Sequence, residues 1–296
     1  TIKNGTLNLQ NAGSAVAVSG NSNVIFENVT IKTSGRGVFV RSAGDTYIKV
    51  NSDTVIVSEK PSFYFGSEDA SENITLDIFG KINSEKASAI YNISKGKVKI
   101  NLHSGSEIKA ADVGIYNKES GFSLEMDGGL ISGGTGIHSI GGKLTIRGGH
   151  ISATGSKGET PNTGCAVSSE GASLKIIGGV FYASDISAGA VGGEYSDISV
   201  VGGSFFPEVP TAGTRKGAIF TEEIINGMPY KVISCATDGE AYKIAKPAVQ
   251  IAMLEPWGVR VSAAVTKEGV AVAPADYATE NIRCGVWFAI GEEKYT

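Results

Sequence analysis

Apolar and polar residues alternate along this chain with period two, in short segments interrupted by glycine, asparagine or serine. Such alternation predicts strands with one buried face, and no run carries the spacing of about 3.6 residues that an amphipathic helix needs. The block LEMDGGLI at 124–131 recurs as LTIRGGHI at 144–151, LKIIGGVF at 174–181 and ISVVGGSF at 198–205. Looser copies are LDIFGKI at 76–82 and VIFENVTI at 24–31. Each copy reads as a strand, a corner and a second strand. Glycine gives the corner its positive φ, and Asn28 can adopt the same left-handed conformation.

A further strand precedes each block. Its apolar centres fall at Val16, Val38, Phe63, Ile90, Ile115, Ile137, Val167, Val191 and Ile219, in steps of 22 to 30 residues. Three short strands per coil of about 24 residues predict an all-β fold, a right-handed single-stranded parallel β-helix. It has about nine coils over residues 1–225. The repeat stops near Asn226, so 226–296 is expected to be a small β-rich module, either a cap or part of a sandwich. Its expected elements are a hairpin around Asp238-Gly239 and strands at 249–254, 259–265, 270–273 and 283–290.

The coil register sorts residues into columns. Two positions past the centres, Asn92 and Asn117 face inward and should stack as a structural amide ladder. One position before the centres stand small residues, from Ala15, Gly37 and Ser62 to Ala190 and Ala218, expected to point outward. One position after them stand Phe39, Tyr64, Tyr91, Tyr116 and His138 in consecutive coils, with Phe220 near the end. With small neighbours leaving the ring faces open, this outward column suits stacking against sugar rings or a partner surface. The alternative is a ladder whose rings only pack on one another, or one covered by a flanking domain. Longer loops at 155–163 and 68–73 frame the same face.

Three positions past the centres, Glu170, Glu194 and Glu222 form an acidic column. Carboxylates on adjacent coils lie about 5 Å apart, near the separation of retaining glycosidases, and could also hold calcium. Solvated turn carboxylates would look the same in sequence. No other cofactor or metal is indicated, and His103 and His150 fall at turns without ligand-spaced partners.

Composition narrows the function. A net charge of -4 offers no basic footprint for nucleic acid or anionic lipid. No apolar run approaches the roughly 20 residues of a membrane-spanning helix. The 40 glycines indicate many turns, and the three cysteines make no disulfide framework. Cys165 is expected to be buried, whereas Cys235 and Cys284 could pair in a secreted protein. The chain opens at Thr1 with neither initiator Met nor signal peptide, as a mature or excised piece would. Further domains of the same polypeptide are expected.

On the coil pattern over 1–221, the chain resembles the pectin-lyase-like right-handed β-helices. It is most similar to repeat-rich cell-surface proteins of Gram-positive gut bacteria, and 227–233 looks like the short strand that often follows their last coil. The resemblance implies an extracellular setting but carries over no catalytic motif. Asn162-Thr163 is followed by Gly164 rather than Asp, no Asp-Asp pair occurs, and Gly148-Gly149-His150 belongs to a corner. Asp45 and Arg41 lie coils away from the glutamate column, so the calcium-and-base arrangement of pectate lyases is not matched. The expectation is therefore a secreted or cell-surface protein, non-catalytic, binding a polysaccharide or host-surface glycan through Phe39, Tyr64, Tyr91, Tyr116 and His138. A polysaccharide lyase or glycoside hydrolase using Glu170, Glu194 and Glu222 is the first alternative, and a passive stalk the second.

Overall fold

The computed structural model describes residues 1–10, 13–41, 44–68, 71–155, 163–210, 213–214 and 218–234, together with short strands at 265–267, 270–272, 288–290 and 293–295. The described residues form a right-handed parallel β-solenoid with three sheets and no helix. Sheet 1 carries the predicted centres. Val16, Val38, Phe63, Ile90, Ile115, Ile137, Val167 and Val191 pair in one unbroken parallel register. Sheet 2 stacks Ile48, Leu76, Ile100, Leu124, Leu144 and Leu174 inward, and sheet 3 does the same with Ile31, Ile56, Ile82, Ile108, Ile131, Ile151, Phe181 and Phe205. All of these sheet 2 and sheet 3 side chains are buried. Each contributes roughly 1.5–3 kcal/mol of burial as an upper bound, but only because the coils on either side supply the other walls of its site.

The second glycine of each Gly-Gly corner takes positive φ, at Gly129 (85°), Gly149 (92°), Gly179 (112°) and Gly203 (129°), and Asn28 takes it at 52°. The column of small residues lies elsewhere than expected. A Cβ on Gly136 would sit 2.4 Å from the Ala166 carbonyl oxygen and 2.5 Å from Ile151 Cγ2, and Gly114 is crowded in the same way by Gly136 and Ile131. These residues point into the corner between sheets 3 and 1, where Ser62, Ala89, Ala166 and Ala190 are also buried. The chain turns there, so two successive residues face inward and the alternation fails. The residues are small because the corner has no room, and they leave no open space beside the outward rings.

The amide ladder forms as expected. Asn92 Nδ2 donates to Asn117 Oδ1 at 2.7 Å, and Asn117 Nδ2 donates to Ser139 Oγ at 2.9 Å. Asn117 also bonds the next turns, with Nδ2 reaching the Glu119 and Gly141 carbonyls and Oδ1 accepting from Glu119 N. All three ladder side chains are fully buried.

The expected ninth centre, Ile219, leaves the register. Ile219–Ile225 and Met228–Ser234 form an antiparallel hairpin, and the second strand runs antiparallel to Gly203–Phe206 on sheet 3. The turn is Asn226-Gly227, with φ of 51° and 79°, the left-handed pair of a two-residue hairpin turn. That turn sends the chain straight back, so no further parallel coil forms. Phe220 and Ile224 instead stand 59% and 64% exposed. Val265–Lys267 pairs antiparallel with Val270–Val272, and Phe288–Ile290 with Glu293–Tyr295. The Asp238-Gly239 turn, Cys235, Cys284 and most of the 155–163 loop lie outside the described residues.

Asn117→Ala should lower stability by about 2–4 kcal/mol, since it strands several buried polar groups, and Asn92→Ala by clearly less. Urea denaturation of both variants followed by circular dichroism checks the order; equal losses would remove the ladder's central role. Gly136→Ala, which meets backbone rather than a movable side-chain tip, should cost about 1–3 kcal/mol by overpacking. Gly5→Ala, whose Cβ meets nothing within 4 Å, serves as the control in the same measurement.

Candidate functional site

The outward column of sheet 1 is in register from Ala17 through Phe39, Tyr64, Tyr91, Tyr116, His138 and Ser168 to Gly192. Strand spacing brings each ring onto the next. Tyr64 and Tyr91 stack with centroids 5.6 Å apart and planes 7° apart, Tyr91 and Tyr116 at 4.8 Å and 14°, and Tyr116 and His138 at 5.6 Å and 21°. Phe39 turns edge-on to Tyr64, at 5.5 Å and 61°. Its place in the stack is taken by Arg36, whose Cζ lies 4.3 Å from the Tyr64 centroid. The rings are half-buried, and their faces are occupied by one another. What the column presents outward is therefore a row of ring edges and phenol hydroxyls, rather than the open faces expected from sequence.

His138 closes the far end. Its Nδ1 hydrogen bonds with Ser168 Oγ at 2.9 Å, and its Nε2 lies 3.8 Å from Glu170 Oε1. The three residues have the types of a nucleophile, base and acid, but Ser168 is fully buried and its hydroxyl also reaches the Ile137 carbonyl at 3.3 Å. A substrate has no access to that oxygen, so Ser168 serves to orient the imidazole. Burial pushes the Tyr116 phenol upward, with Tyr91 and Glu170 adding to the shift.

The acidic column is brought together only in part. Glu170 and Glu194 pair in register, next to a bulge between Glu170 and Ala172. Glu222 is not with them. It sits in the antiparallel hairpin opposite Lys231 and forms an ion pair with its ammonium. The three-carboxylate set for calcium is thus not assembled, and among the described residues no group of three His, Cys, Asp or Glu could hold a metal ion. Phe220 has left the aromatic column in the same way, pairing with Ile233.

A second polar cluster, on the outer face of sheet 2, escaped the sequence reading. Asp77 accepts hydrogen bonds from Tyr47 at 2.7 Å and Asn101 at 2.6 Å, and His103 Nε2 lies 3.7 Å away. His103 stacks on Phe79 at 4.0 Å and 2°, with the Lys49 ammonium 5.1 Å from the same ring. Burial raises Asp77, but the Tyr47 and Asn101 bonds and the neighbouring His103 outweigh it and hold the carboxyl below its usual range. Burial and that same bond push Tyr47 up to about 12. Tyr47 and Asn101 are tied to Asp77, whereas His103 Nε2 is buried without a hydrogen-bond partner. A shallow cavity of about 600 Å³ lies over sheet 3, lined by Lys32, Glu59, Asn83 and Glu85, and contains none of the stacked rings. Among the described residues no helix is long and apolar enough to cross a membrane.

The chain matches no family model, no curated protein and no solved structure. The site is accordingly read from its own geometry.

Burial disfavours the imidazolium of both His138 and His150, pushing each below the ordinary value of 6.5, with Glu170 and Asp112 acting in the opposite direction at His138. Just below that value the unfolded chain binds more protons than the folded one, so stability must fall as pH falls. Thermal midpoints should therefore drop on acidification from about pH 7.5 to about pH 5, a range above the titration of carboxylates. A His138→Gln, His150→Gln double variant should flatten that slope; an unchanged slope would assign it to other groups.

Proposed function

We propose that this chain is a secreted or cell-surface solenoid, a non-catalytic module of the pectin-lyase-like type. It binds a glycan or a host surface along the outer face of sheet 1. The observation that carries the reading is the continuous planar stack of Arg36, Tyr64, Tyr91, Tyr116 and His138, with Phe39 edge-on beside it. Rings that brace one another have already given up their rotamer freedom, so a ligand meets a pre-ordered surface and little further ordering is needed on binding. Three phenol hydroxyls at intervals of about one strand spacing can donate to and accept from the hydroxyls of a polymer lying along the coil axis. Sugar-face stacking is reserved for Phe39, which has Ala17 rather than a ring on its other side.

A second reading, cleavage of a polysaccharide by a lyase or hydrolase route, draws on the shared register of Glu170 and Glu194. It predicts new reducing ends or unsaturated products from a panel of polysaccharides, lost in Glu170→Gln. A passive stalk predicts neither binding nor cleavage.

Affinity gels cast with different polysaccharides separate these readings. Tyr91→Ala, Tyr116→Ala should weaken retention by about tenfold or more, two aromatic contacts being worth at least about 1.4 kcal/mol together. Retention equal to wild type on every polymer would remove the ladder as the binding surface.

A further inference from the structure

We infer that the cavity over sheet 3 is a binding site for an uncharged saccharide, separate from the ring stack of sheet 1. The two surfaces lie on different sheets and share no residue, so this site stands or falls independently of the glycan reading above.

The coil register builds its floor. Asn8, Lys32, Val57 and Asn83 follow one another in consecutive coils, one position past the inward centres of sheet 3, and so point outward. Two residues further on, Ser34, Glu59 and Glu85 stand in the corner that leads to sheet 1. The parallel ladder continues there, with Ser34 N bonding Leu9 O, Glu59 N bonding Thr33 O and Glu85 N bonding Ser58 O. Val57 and Ser34 carry the shortest side chains of the two rows, which leaves a hollow of about 600 Å³ among the longer ones. That volume lies within the roughly 300–1,000 Å³ of small-molecule sites. From Asn8 to Asn83 the floor spans three strand spacings, about 14 Å, enough for a disaccharide lying along the coil axis.

The polar groups at the two ends of the floor are unspent. Asn73 gives its amide to Asp45, and Asn101 gives its amide to Asp77. The amides of Asn8 and Asn83 make no hydrogen bond among the described residues, although Asn83 is half-buried. Such an amide both donates and accepts, as a sugar hydroxyl does. Between them the half-buried Val57, with Leu9 beside the floor, offers an apolar patch for the C–H side of a pyranose.

The charges decide against an ionic ligand. Glu59 is paired with Lys86 at 2.8 Å, and the Glu85 carboxylate also acts on the Lys86 ammonium. With Lys32 on the floor, two lysines face two glutamates and the four charges sum to zero. A fixed charge on the ligand therefore gains no net attraction and loses hydration on entering. Hydroxyl groups exchange water for amide partners at little cost.

The test is isothermal titration of the whole chain, in the Tyr91→Ala, Tyr116→Ala background so that the sheet 1 stack contributes nothing. The probes are a panel of neutral disaccharides and a uronic-acid disaccharide. At least one neutral member should bind, more tightly than the uronic acid and with an affinity unmoved by added salt. Asn83→Ala and Asn8→Ala should each weaken it by about fivefold to tenfold. Val57→Lys should abolish binding by filling the floor. Lysine already occupies this column at Lys32 and Lys109, so the fold should tolerate the change, and an unaltered thermal midpoint checks that it does. Binding of no neutral disaccharide would overturn the site, as would an affinity untouched by both Val57→Lys and Asn83→Ala. Tighter, salt-sensitive binding of the uronic acid would overturn the uncharged assignment.

Discussion

In a parallel solenoid every side chain has its counterpart directly above and below it at one strand spacing, on the same face of the same sheet. A residue is therefore judged mainly by what stands in its column. Isoleucine on isoleucine fills the core of sheet 3, and amide on amide satisfies the buried ends of sheet 1. Lysine beside glutamate neutralises the surface, and tyrosine on tyrosine makes the outer stack. No coil could hold any of these arrangements alone, because its apolar residues would have walls on only two or three sides. The register is what turns separate residues into a core, a ladder and a candidate binding surface.

That dependence explains which parts of the fold were legible in the sequence. With the centres aligned, the columns follow to Val191, and Asn92, Asn117 and the five rings of the outward column fall where the alternation puts them. Two failures share a cause: a periodic argument cannot see where the period breaks. The corner before sheet 1 turns two neighbours inward, so residues such as Gly136 and Ala166 face the core where strict alternation would point them outward. At Ile219 the step of 28 residues still looked like a coil, while the Asn226-Gly227 pair seven and eight residues on was the local signal for an antiparallel return. The hairpin took Phe220 and Glu222 out of their columns together.

The site was legible in outline and not in its chemistry. Alternation gave the row of rings but could not say that Phe39 would turn edge-on and admit a guanidinium in its place. One signal was present: at the position two before each centre in register stand Ser14, Arg36, Pro61, Ser88, Val113, Thr135, Cys165 and Gly189, and only one is charged. The Asp77 network was harder, since Tyr47, Asp77, Asn101 and His103 are dispersed in sequence and meet only through the stacking of three coils. Asp77 itself is saturated by Tyr47 and Asn101, while His103 Nε2 is left buried without a hydrogen-bond partner.

The hairpin of 219–234 also bears on self-association. A stack of parallel strands is a template for its own extension, because the last strand offers the next chain the same pattern of N–H and C=O groups that it received. On sheet 3 that template is cancelled by a strand running the other way, Met228–Ser234 against Gly203–Phe206, with Glu222 and Glu223 on the outermost strand. A second molecule cannot continue the parallel register across this boundary. Within this sheet, the coils can multiply along the polypeptide without inviting fibres between molecules.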